Sequence, residues 1–269
     1  MEVEGVILIL SCKKHRYGRL KNINLKHQYV GWKVIKVIGE LFLKNEYELV
    51  DDILFVKCED SYLHLLKKLA LSLKYLYKIF IIKQGVLRCG DDLIFNEENL
   101  IKFLESPKYD FYGRSECQGK YITDEKLLEN LKFNIIYDDF MLKYYYMHKN
   151  ELIDKEHGIN MRLEDLIKYL IRPDLYGPVG IIYYISNKSC NIIINTMEEI
   201  NYNIFHLDEY SKSYPYLIED GGATYIMYRN KIPYTDNQNF FIESYNKIDE
   251  NDERYKNTIS IHTNFEKDK

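Results

Sequence analysis

A continuous apolar run, Val6-Ile7-Leu8-Ile9-Leu10, constrains the fold of this chain more than any other stretch. A strand with one face in water alternates polar and apolar side chains, so this run predicts a strand buried on both faces. Strands are also predicted at Trp32–Gly39 and Ile53–Val56, a short helix over Leu41–Leu49, and a long amphipathic helix capped by Asp60-Ser61. Alternating strands and helices predict an α/β domain with a mostly parallel central sheet.

The second half of the chain returns to this pattern after a different middle region. An apolar strand is predicted within residues 176–186, and Ser186 is in position to cap a helix over Asn187–Met197. A helix over Thr224–Tyr228 and a strand over Ile259–His262 follow. The strand and helix pattern therefore extends to the last part of the chain.

Residues 117–172 lack this order. Two stretches, Thr123–Leu131 and Leu163–Ile171, have helical periodicity, and a Tyr-rich run, Tyr144–Tyr146, lies between them. They do not carry enough apolar pattern for a core of their own. We therefore expect a single domain over residues 1–269, with residues 117–172 as a helical insertion.

Charge and cysteine usage exclude several classes of protein. A net charge of -4 and an isoelectric point near 6.0 argue against a general nucleic-acid or membrane-surface binder. The apolar run near residue 6 is far shorter than the ~20 residues that span a bilayer. The 5 cysteines are scattered, with no Cys-x-x-Cys pair, so neither a disulfide framework nor a zinc site is indicated. A cytoplasmic protein without a membrane span is expected.

The most chemically informative stretch is Gly90-Asp91-Asp92, two adjacent acids between apolar runs. Burying two carboxylates without a partner is very costly, and a divalent cation is one suitable partner. Carboxylate oxygens at the end of a strand suit Mg²⁺ or Mn²⁺. An acidic turn with both side chains in water is the alternative, and the stretch alone does not decide between them.

Other candidate residues have equally plain alternatives. The basic segment from Lys13 to Lys26 follows the first strand, where an open α/β sheet meets the phosphates of a nucleotide, or it is a solvated helix face. Glu219-Asp220 is a second acidic pair, which alone is compatible with a simple helix N-terminus. His262 ends a short strand near the end of the chain and is otherwise a surface histidine.

Together these motifs resemble the β-1,3-galactosyltransferase family, which includes the fringe-like enzymes. The family begins with a strand ending in Ser and a basic segment, and later has Asp-x-Tyr-x-Asn-Leu-Thr-x-Lys and Lys-x-Asp-Asp-Asp-x-Phe. It continues with a Gly-rich Tyr-to-Ser strand, a Glu-Asp pair and a late His. The corresponding stretches are Ile9-Leu10-Ser11 with Arg16 to Lys21, Val37-Ile38-Gly39, Asp60 to Lys68, Arg88 to Phe95, Tyr176 to Ser186, Glu219-Asp220 and His262.

The resemblance implies a GT-A-type, Rossmann-like nucleotide-binding domain that uses a UDP-sugar and Mn²⁺ or Mg²⁺. It implies inverting transfer of a hexose or N-acetylhexosamine to a glycan or glycoconjugate hydroxyl, with residues 117–172 on the acceptor side. Asp220, with Glu219 as the substitute, is the expected catalytic base, and Asp92 and His262 are the expected metal ligands. The expected contacts to the UDP-sugar are Ser11, Arg16, Arg19, Asp60, Lys68 and Asp91. Arg16, Arg19 and Lys21 compete for the phosphate-side position.

The chain departs from the family pattern at several positions. Gly90 replaces the first acid of the triplet, and His64 and Leu66 replace the usual Asn and Thr. The resemblance also suggests a soluble type found in large DNA viruses or bacteria, located in the host cytoplasm or a virion if viral. Two alternatives stay open: a catalytically degenerate UDP-sugar binder, and a metal-dependent nucleotidyltransferase, because Gly-Asp-Asp also occurs in RNA polymerase palms.

Overall fold

The computed structural model describes residues 1–115, 136–147, 149–154, 159–160, 162, 175–211, 213–244 and 253–263. Its strands are β1 (Glu2–Leu10), β2 (Gln28–Tyr29), β3 (Trp32–Gly39), β4 (Tyr47–Val50), β5 (Ile53–Val56), β6 (Ile81–Cys89), β7 (Leu93–Phe95), β8 (Phe111–Gly113), β9 (Ile153–Asp154), β10 (Ile159–Asn160), β11 (Ile182–Ser186), β12 (Tyr234–Asp236), β13 (Phe241–Ser244) and β14 (Ser260–Thr263).

The helices are α1 (Arg19–Asn22), α2 (Leu65–Ile79), α3 (Glu97–Glu105), α4 (Asp139–Met147), α5 (Lys149–Leu152), α6 (Asn187–Glu199), α7 (Glu219–Arg229) and α8 (Glu253–Asn257). Short 3-10 turns occur at Lys13–His15 and Gln238–Phe240. Ser186 caps α6 as predicted, because its hydroxyl accepts a hydrogen bond from the Ser189 amide.

The large sheet has the strand order β12-β8-β11-β6-β1-β3-β5-β4, with β2 paired to β3. Its centre, β6-β1-β3-β5, is parallel, whereas β11, β4 and β2 join antiparallel to their neighbours in this centre. The prediction of an α/β domain is confirmed, and the sheet is mixed at its flanks. Parallel strands end at the same edge, so Ser11, Gly39 and Gly90 lie near one another.

Strand β1 is buried on both faces, as its continuous apolar run predicts. Val6, Leu8 and Leu10 face one apolar cluster, which contains buried residues of α2, α6 and α7. Ile7 and Ile9 face the second cluster, formed with α3 and with a small sheet of order β13-β14-β7. The central sheet is therefore covered by helices on one side, and by α3 and the small sheet on the other.

Two local predictions are wrong, and a third is right but too short. Leu41–Leu49 is not a helix: its first part forms turns, and Tyr47–Val50 pairs antiparallel with β5. The helix predicted over Thr224–Tyr228 is present and begins earlier, at Glu219, so both acids lie inside its first turn. The Asp60-Ser61 pair does not cap α2, whose N-cap is His64 without a side-chain cap. The carboxylate of Asp60 bonds to other loops instead.

The predicted insertion, residues 117–172, is described only in part. Helices α4 and α5 and the antiparallel pair β9-β10 lie within it. The helices expected over Thr123–Leu131 and Leu163–Ile171 lie outside the described residues. Among the residues that the structure describes, no helix has the length and apolar character needed to cross a bilayer.

Candidate functional site

Asp91 is the anchor of the predicted nucleotide side. It lies just after β6, and only 6% of its surface is exposed. Its Oδ2 accepts hydrogen bonds from Ser11 Oγ at 2.5 Å and His15 Nδ1 at 2.7 Å, and its Oδ1 accepts one from Arg19 Nη1 at 3.3 Å. The structure therefore brings Ser11, Arg19 and Asp91 together, and adds His15, which sequence reasoning missed.

Asp92 meets His262 and also lies beside Arg19, which bonds to Asp91. The Asp92 Oδ2 lies 3.3 Å from His262 Nε2 and 3.6 Å from Arg19 Nη1, and its side chain is 26% exposed. Strand pairing produces this meeting, because β14 pairs with β7 and aligns His262 with Leu93. The two predicted metal ligands are thus neighbours, although they are far apart in the sequence.

Glu243 orients the imidazole of His262. It lies opposite His262 on the neighbouring strand β13, and His262 Nδ1 donates to its Oε2 at 2.8 Å. Burial opposes protonation of His262, but the carboxylates of Asp92 and Glu243 outweigh it and raise its pKa to about 10. Burial also opposes ionisation of Asp92, yet the His262 hydrogen bond and the charge of Arg19 lower the pKa of Asp92.

These residues fit a divalent cation in part. Two ligands at ~2.1 Å from one octahedral metal stand ~3 Å apart, close to the 3.3 Å between Asp92 Oδ2 and His262 Nε2. Glu243 on the other ring nitrogen is the carboxylate–histidine arrangement found behind metal ligands. Within the part of the chain that is described, no three His, Cys, Asp or Glu side chains form a metal-binding group. A cation here would therefore need further ligands from phosphate or water.

Gly90 leaves space for the carboxylate of Asp92. A Cβ built at Gly90 would lie 2.7 Å from Asp92 Oδ1, so any larger residue would displace that carboxylate. The Gly90 amide donates to the Ile181 carbonyl at 2.8 Å. This hydrogen bond fixes the turn at Gly90 against the backbone just before β11. The glycine at position 90 therefore allows the present orientation of Asp92.

Asp60 and Lys68 connect the strand ends beside the site. The Lys68 ammonium, 1% exposed, donates to Asp60 Oδ1 at 2.6 Å and to the Ser11 carbonyl at 2.8 Å. Asp60 also accepts from the backbone amides of Lys13 at 2.7 Å and Gly39 at 3.1 Å. Both predicted ligand-binding residues thus bond to the protein itself and stabilise the loops around the site.

Arg16 and Lys21 lie apart from the acids, which separates the three candidates for the phosphate-side position. The guanidinium of Arg16 lies over the rings of Tyr17 and Phe55, at 5.4 and 5.3 Å from their centroids. The Lys21 ammonium lies 5.7 Å from the Tyr17 ring. Arg19 alone among these three is recorded in contact with Asp91 and Asp92.

Glu219, the first acid of the second pair, is held by a buried arginine. Arg88 Nη2 lies 2.8 Å from Glu219 Oε2, and each of these side chains is 4% exposed. The Tyr183 hydroxyl donates to the other carboxylate oxygen of Glu219. Burial raises the pKa of Glu219, although the charge of Arg88 opposes that rise. With both oxygens engaged, Glu219 is poorly suited to accept a proton from a substrate.

Asp220, the second acid of the pair, is partly exposed and held by backbone amides. Its Oδ2 accepts from the Gly180 amide and its Oδ1 from the Gly221 amide, both at 2.8 Å. Burial raises the pKa of Asp220, although these hydrogen bonds and the charge of Arg88 oppose the rise. A helix N-terminus by itself favours the ionised form of a carboxylate. The net shift has the opposite direction, which makes the carboxylate more basic.

The two acidic pairs meet around residues 180–181. Arg88 Nη1 donates to the carbonyls of Gly180 and Ile181, while the Ile181 carbonyl also accepts from Gly90. Tyr62 is affected by both pairs: desolvation of its hydroxyl, followed by the charges of Asp220, Glu219 and Asp92, raises its pKa to about 12. Tyr62 nevertheless exposes 58% of its surface, so its ring borders solvent beside the two pairs.

Comparison with known proteins adds no relative to this description. No protein-family model matches the chain, and no curated protein matches it.

Proposed function

We propose that this protein is an inverting, metal-dependent glycosyltransferase of GT-A type. It would move a hexose or N-acetylhexosamine from a UDP-sugar to a hydroxyl group of a glycan. The observation that supports this most is the junction at residues 180–181, where the amide of Gly180 holds Asp220 and the carbonyl of Ile181 holds Gly90. Asp92, which is suited to binding, and Asp220, which is suited to proton transfer, thereby lie at the same end of the sheet.

The donor side of the proposal rests on Asp92, His262 and Arg19. Asp92 and His262 would hold Mn²⁺ or Mg²⁺, a cation that acts as a Lewis acid toward a departing diphosphate when bound. Arg19 adds a fixed positive charge beside both acids, and Asp91 keeps the arginine in place. His15, hydrogen-bonded to the carboxylate of Asp91, is a further residue on the UDP-sugar side.

The acceptor side rests on Asp220. Inverting transfer requires a base that takes the proton of the attacking hydroxyl, and a carboxylate with a raised pKa accepts that proton more readily. Glu219 is bonded through both oxygens to Arg88 and Tyr183, so we assign the base to Asp220 and assign Glu219 a supporting role.

A second candidate function is UDP-sugar binding without transfer. Gly90 favours it, since the resemblance places an acid at this position and the cation would have one ligand fewer. No specific observation of the structure favours the nucleotidyltransferase alternative.

A screen of UDP-sugars for slow hydrolysis tests the proposal. The protein is incubated with each UDP-sugar in the presence of Mn²⁺ or EDTA, and released UDP is measured. We expect Mn²⁺-dependent release from at least one sugar, and its loss in Asp220→Asn. Binding of UDP without release from any sugar would support the second candidate. A lack of UDP binding would contradict both functions.

A further inference from the structure

We propose that Arg88 is a positioning residue for Asp220, through which the strand carrying the first acidic pair fixes the carboxylate of the second. This inference rests on the proposed function. Arg88 lies on β6, two residues before Gly90, and its guanidinium is buried against Glu219 and the backbone of residues 180–181. Its guanidinium makes no hydrogen bond or ion pair with Asp220, so it positions that carboxylate through these neighbours, and only its charge acts on Asp220 directly.

Two chains of bonds lead from Arg88 to Asp220. In the first, Arg88 Nη1 donates to the carbonyl of Gly180, and the amide of the same residue donates to Asp220 Oδ2 at 2.8 Å. In the second, Arg88 Nη2 pairs with Glu219 Oε2 at 2.8 Å, and Glu219 precedes Asp220 in the first turn of α7. Asp220 is thus fixed on both sides by groups that Arg88 holds.

The space around Asp220 is tight enough to transmit such a constraint. A Cβ built at Gly180 would lie 3.2 Å from Glu219 Oε2 and 3.3 Å from Asp220 Oδ2. Tyr183, opposite Arg88 in the sheet, stacks near the guanidinium with its ring centroid 5.5 Å from Cζ. A small shift of the guanidinium would therefore move the acid or the backbone that supports it.

The planar guanidinium suits this position better than an ammonium would. It reaches a carboxylate and two carbonyls at once, in directions that a rigid fork provides. A lysine keeps the positive charge but presents a single nitrogen. Arg88→Lys, which keeps the charge and loses the fork, is therefore the conservative variant.

The charged and titratable groups around Asp220 set the expected pH effect. They are Arg88 from β6, Tyr183 from β11, Glu219 from its own helix and Tyr62 from the loop before α2. Arg88 is the positive group among them and favours the ionised form of Asp220. Removal of its charge should therefore move the acidic limb of the kcat profile to higher pH.

The test compares Arg88→Met and Arg88→Lys with Val86→Ala, a core change on the same face of β6 that leaves the acids alone. We expect kcat for UDP-sugar hydrolysis to fall ~10²-fold in Arg88→Met, with KM little changed and the acidic limb shifted upward. Arg88→Lys should recover part of kcat and restore the limb. Val86→Ala should lower the melting temperature without moving the limb.

An unshifted limb in both Arg88 variants, with activity losses that follow stability as in Val86→Ala, would overturn the inference. If Arg88→Met does not fold, Arg88→Lys decides. A lower kcat with KM little changed supports the inference, and a higher KM with kcat unchanged contradicts it. A substrate-free readout separates this result from failure of the proposed function. The ¹³C carboxyl resonance of Asp220, assigned with Asp220→Asn, should titrate at a higher pH in Arg88→Met. In Arg88→Lys it should keep its wild-type titration pH but show a changed chemical shift, even if the wild type hydrolyses no UDP-sugar. An unchanged titration pH in Arg88→Met, or an unchanged chemical shift in Arg88→Lys, would contradict the positioning role.

Discussion

The acidic pair after β6 and the acidic pair at the start of α7 are built alike, but their surroundings differ. In both pairs the first acid is buried and bonded to an arginine, Asp91 to Arg19 and Glu219 to Arg88, while the second is partly exposed. The partners of Asp91 are partly exposed themselves, since Arg19 and His15 have side chains 19% and 21% exposed. The partner of Glu219 is almost fully buried.

This difference leads to opposite electrostatics at the second acids. The pKa of Asp92 is lowered, because His262 and Arg19 outweigh the effect of burial. The pKa of Asp220 is raised, because burial outweighs its backbone hydrogen bonds. Where the pKa values of two candidate-site carboxylates shift in opposite directions, the two groups typically have different roles. In each pair the first acid is held by an arginine. The comparison teaches that the charges around the second acid, Asp92 or Asp220, then decide whether it suits binding or proton transfer.

The largest expected effect is on turnover. Asp220→Asn keeps the shape of the side chain and removes its basicity, so UDP-sugar hydrolysis should fall ~10²–10⁴-fold. UDP release assays measure this loss. Asn at this position keeps one acceptor oxygen for the Gly180 or the Gly221 amide but not for both, so the melting temperature serves as the control for folding. Full activity in this variant would break the assignment of the base.

The next largest effect is on the free energy of unfolding, and it distinguishes the two buried acids, Glu219 and Asp91. Glu219→Gln leaves the buried guanidinium of Arg88 without its counter-charge, which should cost ~3–5 kcal/mol of unfolding free energy. Asp91→Asn leaves partners that water reaches, so its cost should be ~1–3 kcal/mol. Urea unfolding of both variants measures the difference. Equal losses would show that the two anchors are energetically the same.

A smaller effect sharpens the donor side. Glu243→Gln weakens the hydrogen bond that orients His262, and should lower the affinity for Mn²⁺ by ~10–100-fold. Metal titration followed by UDP binding measures the change. Glu48→Gln, an exposed position on the edge strand β4, is the matched control. If the two variants behave alike, the imidazole of His262 is not a ligand.

The smallest expected effect distinguishes two arginines in the basic segment. Arg19→Ala removes the guanidinium that contacts both acids, and should weaken UDP binding ~10-fold. Arg16→Ala should leave UDP affinity unchanged, because Arg16 lies over aromatic rings away from the acids. Calorimetry with UDP compares them. The reverse order would place the diphosphate elsewhere.

Hydrophobic pattern predicted the fold where burial determines the structure. The run Val6–Leu10 predicted a doubly buried strand correctly, because both faces of β1 meet apolar clusters. The prediction of a helix over Leu41–Leu49 was wrong, because the few apolar residues of this stretch fit a short amphipathic helix and an edge strand equally well. Only the hairpin that Tyr47–Val50 forms with β5, through the turn at residues 51–52, decides between them.

The site was predictable as a set of acids and a histidine, but not as a network. A lone Arg88 within the apolar run Val86–Cys89 was a signal that could have been followed, since a buried charge requires a partner. Its partner Glu219 comes from a distant helix, and Glu243 reaches His262 only through the pairing of β13 with β14. Asp60 resembled a helix cap, and its bonds to the amides of Lys13 and Gly39 depend on how the loops fold together.

Titration calorimetry with UDP, with and without Mn²⁺, tests the division between the two pairs most directly. The account predicts Mn²⁺-dependent binding by the wild type, equal affinity in Asp220→Asn, and loss of the Mn²⁺-dependent part in Asp92→Asn. Binding that is independent of Mn²⁺, or equally weakened by both substitutions, would contradict the claim that Asp92 binds the donor and Asp220 takes the proton.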